Sequence, residues 1–166
     1  MSAVPRKAKT VSESRFTLSR LMGPPDSNIL GNVHGGVIMK MVDEAGALVA
    51  MRHANRPVVT VAIDSMTFMQ PIRLGDLVLC HAALTYVGRS SMEVRVEVVA
   101  ESPMLGTSHT TNLAYLVYVA LGEDGRPMAA PELLYTTEEE RLAGVAAEER
   151  QAYRKRQREQ EAQRTP

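Results

Sequence analysis

Gly36-Val37-Ile38-Met39-Lys40-Met41-Val42-Asp43-Glu44-Ala45-Gly46-Ala47-Leu48-Val49-Ala50-Met51-Arg52-His53 is the stretch that decides the fold. Val37, Ile38, Met41, Val42, Ala45, Leu48 and Val49 recur at three- and four-residue spacing, so they lie on one broad stripe of a helix. Asn55-Arg56-Pro57 ends it. Around this helix the pattern is of the strand type: residues 15–21 before it, then 58–70, 77–87, 90–101 and 109–121. Pro71 with Gly75-Asp76, Gly88-Arg89, and Pro103 with Gly106 supply the turns. Short connections predict that sequence neighbours pair antiparallel, as a four-strand meander. Met92, Val94, Val96 and Val98 alternate with Glu93, Arg95 and Glu97, which predicts that one sheet face is wet. A helix with so much apolar circumference is buried only if the sheet curls around it, so the expected class is α+β, an antiparallel sheet wrapped around one long helix.

The chain has 166 residues, enough for one domain. Residues 1–14 read as a flexible basic terminus, since Arg6, Lys7 and Lys9 come without an amphipathic stripe. Residues 15–135 read as the domain, closed by Gly122-Glu123-Asp124-Gly125-Arg126-Pro127 and Pro131. Residues 136–166 read as a charged helix with a capping box at Thr137 and Glu140, its far end solvated. Lys plus Arg and Asp plus Glu both number 19, which removes the basic excess of a nucleic-acid or anionic-membrane binder. No stretch reaches the roughly 18 apolar residues of a membrane helix, and the expected location is cytoplasmic. Cys80 is the single cysteine, so there is no internal disulfide, and with four His no zinc cluster of the usual spacing can be assembled.

The densest unusual feature precedes the helix: Asn28-Ile29-Leu30-Gly31-Asn32-Val33-His34-Gly35-Gly36. Glycines at a helix start leave backbone N–H groups unshielded beside the positive end of the helix, where an oxyanion or polarised carbonyl can bind. Asp43 lies two turns further on, roughly 10 Å along the axis, too far to serve the same carbonyl from the same chain. It shares a face with Gly46, Ala47 and Ala50, small enough for a second backbone to approach. Two such helices packed antiparallel across a two-fold axis bring Asp43 of one chain to Gly35-Gly36 of the other. Asp43 paired with Lys40 as a surface ion pair is the plain alternative. Asp64 is a rival acid on the side of Ala62, Met66 and Phe68, and reads as a satisfied strand carboxylate. His34 reads equally as a base and as a loop-fixing side chain. No Ser or Cys stands in a nucleophile pattern, and there is no phosphate loop.

The stretch from Asp26 to His53, with Gly31-Asn32-Val33-His34-Gly35-Gly36 and Ile38-Met39-Lys40-Met41-Val42-Asp43-Glu44-Ala45-Gly46, resembles the hotdog-fold acyl-CoA thioesterases of the YciA and brain-type hydrolase group. The similarity continues through Val59-Thr60-Val61-Ala62, Phe68 with Pro71-Ile72, Gly75-Asp76 and Gly88-Arg89-Ser90-Ser91, so it spans roughly residues 15–135. The resemblance implies Asn28 and Asp43 as catalytic residues, a homodimer, and a trimer of dimers. It implies hydrolysis of an acyl-CoA thioester, without a cofactor or metal. Gly35 and Gly36 with His34 would polarise the carbonyl, and Asp43 of the partner protomer would act as general base, with direct attack by Asp43 left open. Arg89, Ser90 and Ser91, with Thr60 and Arg73, are the expected CoA contacts. Val37, Met41, Met66 and Met69 form a candidate acyl wall. Residues 151–166 hold five basic and two acidic side chains, a further candidate surface for CoA. An acyl-thioester hydratase or dehydratase using His34, and a non-catalytic acyl-CoA sensor, are the alternatives on the same fold.

Overall fold

The computed structural model describes residues 7–164. In chain order its elements are β1 (Lys9–Thr10), α1 (Val11–Ser14), β2 (Phe16–Leu21), a 3-10 turn (Pro24–Asp26), α2 (Gly35–Ala54), β3 (Val58–Phe68), β4 (Leu77–Val87), β5 (Ser91–Ser102), β6 (Thr107–Ala120), β7 (Leu133–Leu134) and α3 (Glu138–Arg164). His34 caps the start of α2. Asn55, at φ 52°, ends it in the left-handed conformation that asparagine tolerates. The Lys9 ammonium adds a second seal, donating to the Arg52 and His53 carbonyls at 2.8 Å each. β1 pairs parallel with β7, and Val11 is 1% exposed. The expected flexible terminus is therefore corrected over residues 9–14, where backbone pairing and a buried valine fix the chain. Residues 1–6 of that expectation, and residues 165–166, lie outside the described residues.

β2 to β6 form one antiparallel sheet in the order β2-β4-β5-β6-β3. Ile38, Met41, Val42, Ala45 and Val49 of α2 pack into its concave face against Val78, Cys80, Val94, Val96 and Leu116. The four-strand meander is corrected: only β4, β5 and β6 follow one another, while β3 crosses to the far edge and pairs with β6. The reason lies in residues 69–76, which are not a hairpin turn. The Ile72 carbonyl accepts from Val33 N at 2.8 Å and Arg73 bridges to Asn32, so the segment runs along the loop before α2. β3 also slips register twice, between Thr60 and Ala62 and between Ile63 and Ser65. Each slip inserts an unpaired residue, Val61 or Asp64, and resets which side the following residues face. Asp64 accordingly turns to Arg154 of α3, which corrects its expected place beside Met66 and Phe68.

The wet outer face holds at Arg95 and Glu97, whose side chains are 40% and 32% exposed, and is corrected at Glu93. Met92, Val94, Val96 and Val98 are fully buried as expected, but Glu93 on the opposite side is only 1% exposed because α3 lies across it. Thr85 Oγ1 and Arg150 Nη2 each donate to Glu93 Oε1 at 2.7 Å, and Arg150 stacks 3.9 Å above the Tyr115 ring. Arg154 stands 2.8 Å from Glu93 Oε2, an ion pair out of line for a good hydrogen bond. The middle of α3 is thus clamped to the sheet at Arg150 and Arg154, while residues 158–163 beyond it are exposed, as expected of its far end. The capping expectation holds in altered form: Glu140 N donates to Thr137 Oγ1, while the Glu140 carboxylate reaches Thr136 N at 2.8 Å.

Removing the charge of Glu93 leaves two guanidinium groups against a buried neutral side chain, a loss of about 3 kcal/mol or more. Glu93→Gln is therefore expected to lower the urea unfolding midpoint sharply at unchanged slope, whereas Glu123→Gln, exposed in a turn, should leave it in place.

Candidate active site

The loop entering α2 is built before the helix begins. Asp26 accepts from Gly23 N at 2.9 Å and pairs with Arg20; the backbone bond first and the guanidinium second hold its carboxyl below the usual range. Its carbonyl accepts from His34 N at 2.7 Å, which closes the loop. Inside that loop Asn28 Oδ1 accepts from Leu30 N at 2.8 Å and Asn32 N at 3.2 Å, and Gly31, at φ 79°, makes the turn. Because both partners are N–H donors, the atom facing them must be the oxygen. Asn28 therefore presents its Nδ2 amide, a pure donor, to whatever enters.

His34 Nδ1 accepts from Gly36 N at 2.9 Å. A ring nitrogen that accepts is unprotonated, so the other carries the hydrogen, and His34 offers a donor outward and no free lone pair. This bond is the loop-fixing one, and the outward N–H of the ring remains available for the polarising role that the resemblance implies. The same bond corrects the expectation for Gly36, whose N–H goes to the cap and not to a ligand. Gly35 N–H has no partner among the described residues. A pocket of about 310 Å³ joins Asn28, Gly35, Ile38 and Phe68, and a Cβ on Gly35 would lie 3.4 Å from the Phe68 ring.

Asp43 stands apart from this pocket, half-buried, further along α2. Its Oδ1 accepts the Thr60 hydroxyl at 2.7 Å, and Tyr118 Oη donates to the Asp43 carbonyl at 2.9 Å with a longer contact of 3.3 Å to Oδ1. Oδ2 has no hydrogen-bond partner among the described residues. The Lys40 alternative is excluded, since Lys40 pairs with Glu44 at 3.7 Å. Burial first, and the Asp43 charge second, push the Tyr118 phenol far above its ordinary range, so it remains a donor. Gly46 is small for this tyrosine: a Cβ there would stand 2.3 Å from Tyr118 Oη. That corrects its reading as part of a bare face kept for another backbone.

The other expected residues are dispersed. Arg73 adjoins the Asn28 loop through its bridge to Asn32, with its own N–H on Asp76. Arg89, Ser90 and Ser91 lie at the opposite sheet end, where the Arg89 and Ser90 carbonyls accept from Ala130 and Ala120. Ser91 shares a crevice of about 460 Å³ with Lys155 and Arg158 of α3. Met41 is core at 2% exposed, which removes it from the acyl wall; Val37 and Met66 are partly buried, and Met69 lines the Asn28 pocket. Cys80 is buried, its thiol pushed up to about 12 by burial and so kept protonated. Among the described residues no cluster of His, Cys, Asp or Glu could hold a metal, and no helix is long and apolar enough to cross a membrane. Tyr118 was missed as a site residue. Its signal is a phenol at an inward strand position between Leu116 and Ala120, which must find a buried partner.

Residues 30–107 match the thioesterase superfamily. The acyl-CoA hydrolase of Staphylococcus aureus, solved with butyryl coenzyme A and coenzyme A, is 34% identical with a TM-score of 0.86, covering 94% of this chain and 95% of that one. The chain belongs to the acyl-CoA thioester hydrolase family. Its fold is the hotdog fold. A solved hexameric acyl-CoA thioesterase is 38% identical, with a TM-score of 0.87 over 91% and 97% of the two chains. The acyl-CoA thioester hydrolase YciA of Escherichia coli is 35% identical over 125 residues, 73% of this chain and 94% of that one. The cytosolic acyl coenzyme A thioester hydrolase of Mus musculus is 38% identical over 135 residues, which span 80% of this chain and 35% of the mouse protein. This chain thus corresponds to about a third of the mammalian relative. Variants of the Staphylococcus aureus hydrolase with an Asn, an Asp or a Thr changed to Ala have also been solved.

The Tyr118 contact makes the need for glycine at position 46 testable. Gly46→Ala would gain helix propensity elsewhere, yet here it is expected to cost about 1–3 kcal/mol by displacing the tyrosine. Tyr118→Phe on top of it should recover part of that loss in urea unfolding, because the atom nearest the new methyl is gone.

Proposed function

We propose that this protein hydrolyses acyl-CoA thioesters at sites shared between two protomers. The observation that carries the reading is Asp43, with one carboxylate oxygen held by Thr60 and Tyr118 and the other left open. The donors Asn28 Nδ2 and Gly35 N–H lie at the helix start, roughly 10 Å away along the axis. A second copy bridges that gap. β3 is an edge strand with Val59, Val61 and Ile63 43–46% exposed, and pairing it antiparallel with its own copy would continue the sheet and set the two α2 helices side by side. Hexameric relatives support a trimer of such dimers.

In the site, Asn28 and Gly35 of one protomer hydrogen-bond the thioester oxygen and stabilise the charge that develops on it. Asp43 of the other takes a proton from water as the oxygen attacks the carbonyl carbon. The carbon–sulfur bond then breaks, and the thiolate leaves with that proton as CoA. The products are a thiol and a carboxylic acid, which releases the second proton of the water to solvent as it becomes a carboxylate, so the step needs no metal or cofactor. Arg73 and, at the far turn, Arg89, Ser90 and Ser91 are assigned to the CoA moiety, supported by the Lys155 and Arg158 charges in the crevice at Ser91. A cytosolic location follows the name of the mouse relative. The hydratase reading loses its base, because His34 is committed to the helix cap.

Thiol release from acyl-CoA tests this. Asp43→Ala and Asn28→Ala are each expected to lose at least 100-fold in kcat, on the order of one removed donor or base, while still binding CoA. Unfolded together and refolded, the two inactive variants should recover about a quarter of wild-type activity, since each mixed dimer regains one intact site. No recovery would place both residues in one chain's site. Enoyl-CoA hydration without thiol release would favour the hydratase, and CoA binding without turnover the sensor.

A further inference from the structure

We infer that Arg154, on the outer face of the sheet, is a positioning residue for the Asp43 site. The inference rests on Asp43 and Thr60 forming the proposed reacting site. β3 carries Thr60 and, within its own protomer, is held by hydrogen bonds on one side only, to β6, while its other side faces the proposed partner strand. Its two register slips leave just Ala62 and Ile63 paired between Val61 and Asp64, so the ladder is weakest immediately after Thr60.

Arg154 is what fixes that segment from outside. Its side chain is 11% exposed and bonds the carboxylate of Asp64, the unpaired residue of the second slip. Its other terminal nitrogen stands against Glu93 of β5. Glu93 is in turn held by Thr85 of β4 and by Arg150. The edge strand is thereby tied through one guanidinium to the rigid centre of the sheet. The planar fork suits two acids at once, which a single ammonium cannot match. Arg150 makes the useful contrast, because it attaches α3 to Glu93 and Tyr115 and, among the described residues, has no hydrogen bond or ion pair to β3. Thr60 lies four residues from Asp64 on the same strand, and its hydroxyl must stay 2.7 Å from Asp43 Oδ1. Displacements of about 1 Å in such contacts cost up to about 100-fold in rate.

The test compares Arg154→Met, which keeps the apolar stem, with Arg150→Met, Thr60→Val and the Arg154→Met/Thr60→Val double variant in the full chain. Arg154→Met is expected to lower kcat at saturating acyl-CoA about 10- to 100-fold, separately from any rise in KM caused by losing a cation that lines the crevice at Ser91. Added to Thr60→Val it should cost nothing more, because both act through one contact. Arg154→Lys should recover part of the loss, and Arg150→Met should keep kcat near wild type. Amide hydrogen exchange over residues 60–65 should accelerate in Arg154→Met and not in Arg150→Met. Additive losses, an equal loss in Arg150→Met, or unchanged exchange at 60–65 would each overturn the inference. If Thr60→Val leaves kcat intact, the proposed site is wrong instead, and the exchange rates alone then decide whether Arg154 holds β3.

Discussion

A helix apolar around most of its girth cannot rest on a flat sheet, and α2 forces the five strands to curve around it. Ile38, Met41, Val42, Ala45, Gly46, Val49 and Ala50 are all buried, which occupies more than one side of the helix. The concave face must then be apolar along its whole length, and a polar group placed there has to find its partner on α2 itself. Tyr118 does so. Its phenol reaches the Asp43 backbone and carboxylate, and it has room only because residue 46 carries no side chain. The packing that buries the core and the geometry that holds Asp43 are consequently one arrangement, so a substitution at Gly46 or Tyr118 acts on both.

Wrapping a sheet without closing it leaves two edges, and they differ. β2 is short and shows Thr17, Ser19 and Arg20, the polar and charged residues that discourage strand pairing. β3 is eleven residues long and presents Val59, Val61 and Ile63. An exposed apolar edge of that length is an aggregation hazard in a lone protomer, and the proposed self-pairing would remove it.

Much of this was legible in the residues. The three- and four-residue spacing from Val37 to Val49 gave the central helix, Asn55 its end, and the alternation at Met92 to Val98 the inward face of β5. The family resemblance pointed to Asn28 and Asp43, but the bonds around them came only from the fold. Whether Gly36 N–H faces a ligand or the His34 ring depends on one side-chain rotamer, which spacing does not encode. The neighbours of β3 were misread because strand order is set by where residues 69–76 dock, not by connection length. Glu93 looked like a solvated acid, and Asp64 like a satisfied carboxylate whose partner has no local signature, because Arg150 and Arg154 are 57 and 90 residues away along the chain. Alternation reports which face a residue takes, not what covers that face.

The bond between His34 and Gly36 also redistributes the chemistry proposed for the helix start. With one first-turn N–H used by the cap, the remaining backbone donor is Gly35, and a side-chain amide has to supply the second. Asn28 meets that need because Leu30 N and Asn32 N hold its oxygen and leave its nitrogen outward. A carboxylate in its place would present an acceptor where negative charge develops and would repel the oxyanion. Asp43, two turns along the same helix, is by that distance prevented from accepting a bond from the donors of its own chain. In the proposed site the donors and the base therefore stay apart until a second protomer brings them together, so that assembly would complete the site as well as cover the edge of the sheet.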